Sequence, residues 1–119
     1  MRFQDQAVLV TGGGSGIGRA VCLMAAAEGA RIAVGDLDAD RAAATAEAVR
    51  DAGGEAHPVQ LDVADPASAT RFVAAAETAL GRLDVLVNSA GIREIAPVLE
   101  LSFEEWQRVI SVNLSGTFL

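Results

Sequence analysis

Short apolar runs alternate along the chain with longer segments in which apolar residues recur every three to four positions. That alternation predicts βαβ units, and so a parallel sheet with helices on both faces. The first strand is expected at about Ala7–Val10. A helix should follow from Ile17 to about Glu28, with Ile17, Ala20, Val21, Met24 and Ala25 on one face and Gly29 placed to end it. Arg31–Gly35 reads as the second strand, ending at Asp36. Asp38 can cap a helix over Ala39–Ala52, which Gly53-Gly54 stops. The third strand is expected at Ala56–Leu61, after which Asp65-Pro66 supplies a cap and first-turn proline for a helix to Leu80, with Gly81 behind it. Leu83–Val87 is apolar apart from Asp84, the composition of a fourth strand covered on both faces. Ser102 and Glu105 have capping-box spacing and open a last helix through Trp106, Val109 and Ile110. The chain stops on Thr117-Phe118-Leu119 without cap or turn chemistry, so a fragment of a longer domain is expected.

Composition narrows the functional classes. With 119 residues, 51% of them hydrophobic and 21% charged, the chain has the size and balance of one globular domain, and no linker or repeat divides it. A net charge of -7 disfavours nucleic acid and anionic membrane as partners. No apolar stretch reaches the ~20 residues of a membrane span, and Met1–Gln6 contains no signal-peptide core, so a cytoplasmic location is expected. The lone Cys22 reads as a packing residue, and His57 has no partners for a metal, so no metal site is expected. Phe103 and Trp106 read as core or interface packing. All nine basic residues are arginine, and the chain has neither lysine nor tyrosine.

The densest chemical signal is Thr11-Gly12-Gly13-Gly14-Ser15-Gly16-Ile17-Gly18, between the first strand and its helix. A glycine turn there lets backbone approach a pyrophosphate, and the helix N-terminus offers unpaired N–H groups with partial positive charge. The spacing is T-G-x-x-x-G-x-G, since Ile17 breaks the commoner G-x-G-x-x-G. A flexible loop without a ligand is the alternative. Asp36 lies eighteen positions after Gly18, close to the ~20-residue spacing at which a carboxylate meets a ribose 2′-hydroxyl. Leu37 follows it, and no arginine is expected where a 2′-phosphate clamp could sit. An aspartate at a strand end also forms turns. Asp62 and Val63 close the third strand, where they would border an adenine or simply lead into the next helix. Asn88-Ser89-Ala90-Gly91 closes the fourth strand with small residues that suit close backbone approach or an ordinary turn. Asn113 sits inside a helical pattern, which points to a kink, a functional backbone group, or a solvent-facing side chain.

Taken in order, these segments resemble the short-chain dehydrogenase/reductase family across the whole chain. Ser89 departs mildly from the second asparagine of the family's N-N-A-G. The resemblance implies a Rossmann-type doubly wound sheet, four strands in the order 3-2-1-4. It implies an NAD site, with NADP disfavoured, on Gly12, Ser15, Gly16, Ile17, Gly18, Asp36, Leu37, Asp62, Val63, Asn88, Ala90 and Gly91. It also implies an alcohol or ketone substrate and a homo-oligomer, dimer or tetramer, for the complete enzyme. Of the family's catalytic serine, tyrosine, lysine and asparagine, only the asparagine has a counterpart, Asn113, so little activity is expected from this chain alone. Two other classes compete. A non-catalytic NAD-binding or regulatory module would end on a polar, capped terminus. A phospho-accepting receiver domain needs an acidic cluster after the first strand and usually a lysine, and glycines occupy that turn here.

Overall fold

A computed structural model describes residues 1–119. The elements run β1 (Ala7–Thr11), α1 (Gly16–Ala27), β2 (Arg31–Asp36), α2 (Ala39–Asp51), β3 (Glu55–Gln60), α3 (Pro66–Leu80), β4 (Val85–Asn88) and α4 (Phe103–Ile110). A π-helical turn, Ser111–Ser115, and a short helix, α5 (Gly116–Phe118), complete the chain. The four strands form one parallel sheet in the order β3-β2-β1-β4, the Rossmann-type arrangement expected.

Period-two alternation sorts the central strands into two cores. Val8, Val10, Ile32 and Val34 pack with Cys22, Ala25, Ala42, Ala46 and Val49, on the face covered by α1 and α2. Ala7, Leu9 and Ala33 pack with Leu61, Val63, Phe72, Ala76 and Leu80, on the face covered by α3. Local chemistry sets the helix starts. Asp38 accepts from Asp40 N and Arg41 N, Asp65 accepts from Ala67 N, and Ser102 and Glu105 complete their capping box. Level register brings the carboxyl ends of the strands side by side, with Thr11 opposite both Gly35 and Asn88.

Three expectations need correction. The buried face of α1 is Gly18, Cys22 and Ala25, whereas Ile17 and Met24 are 78% and 68% exposed. Close packing of the helix on the sheet is made by these small residues, with Val21 and Leu23 packed at the edges of the contact. β4 starts later than expected and is not covered on both faces. Val85 and Val87 pack on the α1 side, while Leu86, on the other face, is 55% exposed. Of the two roles expected for Phe103 and Trp106, core or interface packing, the core role does not hold, since they are 66% and 54% exposed.

Candidate functional site

The strand ends, together with the loops that follow them, open a cleft of about 640 Å³ lined by 16 residues, a volume suited to a small-molecule ligand. Its floor is built from the glycine turn. Gly12 has φ +67°, and a Cβ there would meet Ala90 Cα and Ala90 N at 2.8 Å, so backbone lies directly against backbone. Gly18 supports the turn from beneath: its Cβ would fall 2.1 Å from Gly12 O. Ser15 makes no side-chain cap on α1, and the first turn contains no acidic residue. With Ser15, Gly16 and Ile17 all bordering the cleft, the positive end of the helix is left for an anion.

Asp36 closes one side. Its Oδ2 accepts from Gly14 N at 2.9 Å and its Oδ1 from Asp38 N at 3.0 Å, which ties the glycine turn to the end of β2. Leu37 stands beside it, 66% exposed. Arg41, in the first turn of α2, also lines the cleft, and its Nε lies 3.5 Å from Asp38 Oδ2. This corrects the expectation of a site without an arginine: the turn into α2 folds Arg41 back toward Gly14, a proximity that no spacing rule marks. The third border is the loop after β3. Asp62 Oδ1 accepts from Ala64 N at 3.0 Å, Asp62 N donates to Ser68 Oγ at 2.9 Å, and Val63 is buried beside them.

The opposite wall is Ser89, Ala90, Gly91 and Ile92. Thr11 Oγ1 accepts from Ser89 N and Ala90 N, both at 3.2 Å, and so joins this wall to β1. Asn113, at the centre of the π-helical turn, grips Ile92 twice. Its Oδ1 accepts from Ile92 N and its Nδ2 donates to Ile92 O, each at 2.8 Å. The expected interruption of the helix at Asn113 is this π turn. A Cβ on Gly116 would meet Val63 Cγ2 at 2.7 Å, so the end of the same turn rests on the third border.

The family model for the short chain dehydrogenase matches residues 6–119. The chain belongs to the short-chain dehydrogenase family. It is 44% identical over 118 residues to a D-threitol dehydrogenase of Mycolicibacterium smegmatis, covering 99% of this chain and 45% of that protein. It is 39% identical to a sorbitol dehydrogenase of Cereibacter sphaeroides, covering 98% of this chain and 44% of the other. A hydroxysteroid dehydrogenase from Escherichia coli superposes with a TM-score of 0.93 at 27% identity, covering 98% of this chain and 49% of that one. The chain therefore spans about half the length of these short-chain dehydrogenases.

In this member of the family the structure brings most of the expected site residues to one place. Gly12, Ser15, Gly16, Ile17, Asp36, Leu37, Asp62, Val63, Ala90 and Gly91 share the cleft. Two do not line it. Gly18 is buried under the turn, and Asn88 borders a separate hollow with Leu86 and Thr117, because alternation along β4 turns it away. Asn113 acts from behind the wall. His57 pairs with Glu55 at 2.9 Å on the edge strand and takes no part in the cleft. Besides Arg41, the residues missed are Ser68 and Gly116, and for Thr11, named in the motif, the tie to Ser89 and Ala90, all of which depend on contacts away from the motif.

Proposed function

We propose that this short-chain dehydrogenase binds NAD in the cleft, in preference to NADP, and that it serves the interconversion of an alcohol and a carbonyl compound. One observation carries the reading: the Asp36 carboxylate ends β2 in the same cleft as the uncapped N-terminus of α1. The α1 N-terminus suits a pyrophosphate, and Asp36 is placed to accept from an adenosine ribose hydroxyl while repelling a 2′-phosphate. Space is left as well as charge, since a Cβ on the cleft-lining Gly16 would meet no protein atom within 4 Å. Asp62 and Val63 would border the adenine, and Ser89 to Ile92 would border the path toward the nicotinamide.

A bound nicotinamide supplies a hydride acceptor or donor, the chemistry that an alcohol–carbonyl exchange requires. Asn113 holds the Ile92 backbone and so shapes that end of the cleft. The tyrosine and lysine that the family uses for proton transfer do not occur in this sequence. Without a positioned acid/base group, ~10²–10⁴-fold of rate is lost. The chain as it stands is therefore a cofactor-binding half with little turnover of its own.

Calorimetric titration of NAD and NADP tests this. Loss of one charge-assisted hydrogen bond is worth ~1.5–3 kcal/mol, so NAD should bind roughly ten- to a hundredfold more tightly. Equal or tighter NADP binding would overturn the role given to Asp36.

A further inference from the structure

The cleft carries opposed charges at the end of β2. Asp36, Asp38 and Asp62 line it, and Arg41 is the one basic residue among its 16 lining residues. Arg41 enters from the first turn of α2, where its backbone N–H donates to Asp38 Oδ1 at 3.2 Å. The point that a Cβ on Gly14 would occupy is 2.7 Å from Arg41 Cβ and 2.7 Å from Asp36 Oδ2. The arginine stem and the aspartate carboxylate thus both pack against Gly14, and both residues border the cleft.

The two groups are not held alike. Asp36 is anchored by two backbone N–H groups, from Gly14 and Asp38, and cannot swing away from an incoming anion. The Arg41 side chain is 64% exposed, and its ion-pair partner, Asp38, faces it at 3.5 Å. An arginine fork is the side chain best matched to a phosphate. In this cleft its attraction is opposed by the Asp36 carboxylate and shared with that of Asp38.

Resting on the cofactor reading above, we propose that Arg41 is a second specificity-determining residue: a 2′-phosphate-binding group held in check by Asp36 and Asp38. The preference for NAD is then the balance of a negative charge anchored by backbone against an exposed positive one. It does not arise from a cleft without a phosphate ligand.

The probes are 5′-AMP and 2′,5′-ADP, which differ only by the 2′-phosphate. Both are titrated calorimetrically into the unaltered chain, Asp36→Asn, Arg41→Ala and the double variant. Asp36→Asn removes the charge and keeps an oxygen for one of the two N–H groups. It should raise the affinity ratio of 2′,5′-ADP to 5′-AMP by ~10–100-fold, and adding Arg41→Ala should cancel at least ~10-fold of that gain. Arg41→Ala alone should lower the ratio by ~3-fold or more. A ratio that moves by less than about twofold on Arg41→Ala in both backgrounds overturns the role of Arg41. If Asp36→Asn does not fold, the Arg41→Ala comparison alone decides, by the same threshold. Failure of both probes to bind the unaltered, folded chain overturns the cofactor reading itself. Binding of 5′-AMP with a ratio indifferent to Arg41 overturns only this inference.

Discussion

Thr11→Val removes one hydroxyl at the end of β1 and leaves a side chain of nearly the same shape. Thr11 is only 6% exposed, so water cannot readily replace the lost oxygen. Its Oγ1 accepts from Ser89 N and Ala90 N at 3.2 Å each. Ser89 N also reaches Thr11 O at 3.2 Å and keeps a partner in the variant. Ala90 N has no such second acceptor. One part-buried donor left unpaired costs ~1–3 kcal/mol, and the length of these bonds places the loss in the lower half of that range. For a chain of this size, ~1–2 kcal/mol lowers the midpoint of thermal unfolding by about 4–8 °C. Thr11→Ser is the control, since it keeps the hydroxyl and loses one methyl, at about 0.8 kcal/mol. Stability alone would not separate the two variants cleanly, but Ala90 also lines the cleft. Thermal unfolding by circular dichroism is therefore paired with titration of 5′-AMP. Thr11→Val should lose stability and several-fold in affinity, whereas Thr11→Ser should lose some stability and keep its affinity. Equal weakening of binding by both variants, or none by Thr11→Val, would refute the role of the hydroxyl as the tie between β1 and the Ser89–Ala90 wall.

Gly18→Ala places a Cβ 2.1 Å from Gly12 O, where only backbone can give way. It should cost at least ~1–3 kcal/mol in urea denaturation, and unchanged stability would contradict the close contact. Burial pushes the Cys22 thiol up to about 12. Iodoacetamide at pH 8 should leave it unmodified in the native chain and label it fully in denaturant. The Arg82 guanidinium, and after it the Ala7 backbone N–H, hold the Asp84 carboxyl below its ordinary value of 3.8. Its folded pKa is depressed, so its contribution is present above that ordinary value and fades as pH falls through the lowered one. A plot of unfolding midpoint against pH should be flatter below about pH 4 for Asp84→Asn than for the unaltered chain.

Local chemistry was legible in the sequence. The N-caps at Asp38, Asp65 and Ser102 behave as expected, since each depends only on residues two or three positions on. The strand order and the glycine turn followed from alternation, motif spacing and family resemblance together. What failed depends on the third dimension. The expected apolar stripe of α1 holds at Val21 and Ala25 and fails at Ile17 and Met24, because the closest contact with the sheet is made by Gly18, Cys22 and Ala25, whose value lies in being small. The resemblance to N-N-A-G groups Asn88 with Ala90 and Gly91, although the pleat of β4 sends it to the other side. Arg41 stood too far from the glycines in sequence for any spacing rule to join them.

The π-helical turn Ser111–Ser115 has a consequence at the level of the gene. Such a turn is an α-helix holding one residue more than its pitch accommodates. Asn113 meets Ile92 from its middle, and Gly116 meets Val63 from just beyond its end. Deleting a single codon between 111 and 115 would let the segment relax into an unbroken helix. Everything after it would then rotate by about 100°, carrying Gly116 off Val63 and setting a side chain in its place. In this stretch the number of residues is as much a part of the design as their kind. In-frame loss of one residue here should do more harm than most substitutions.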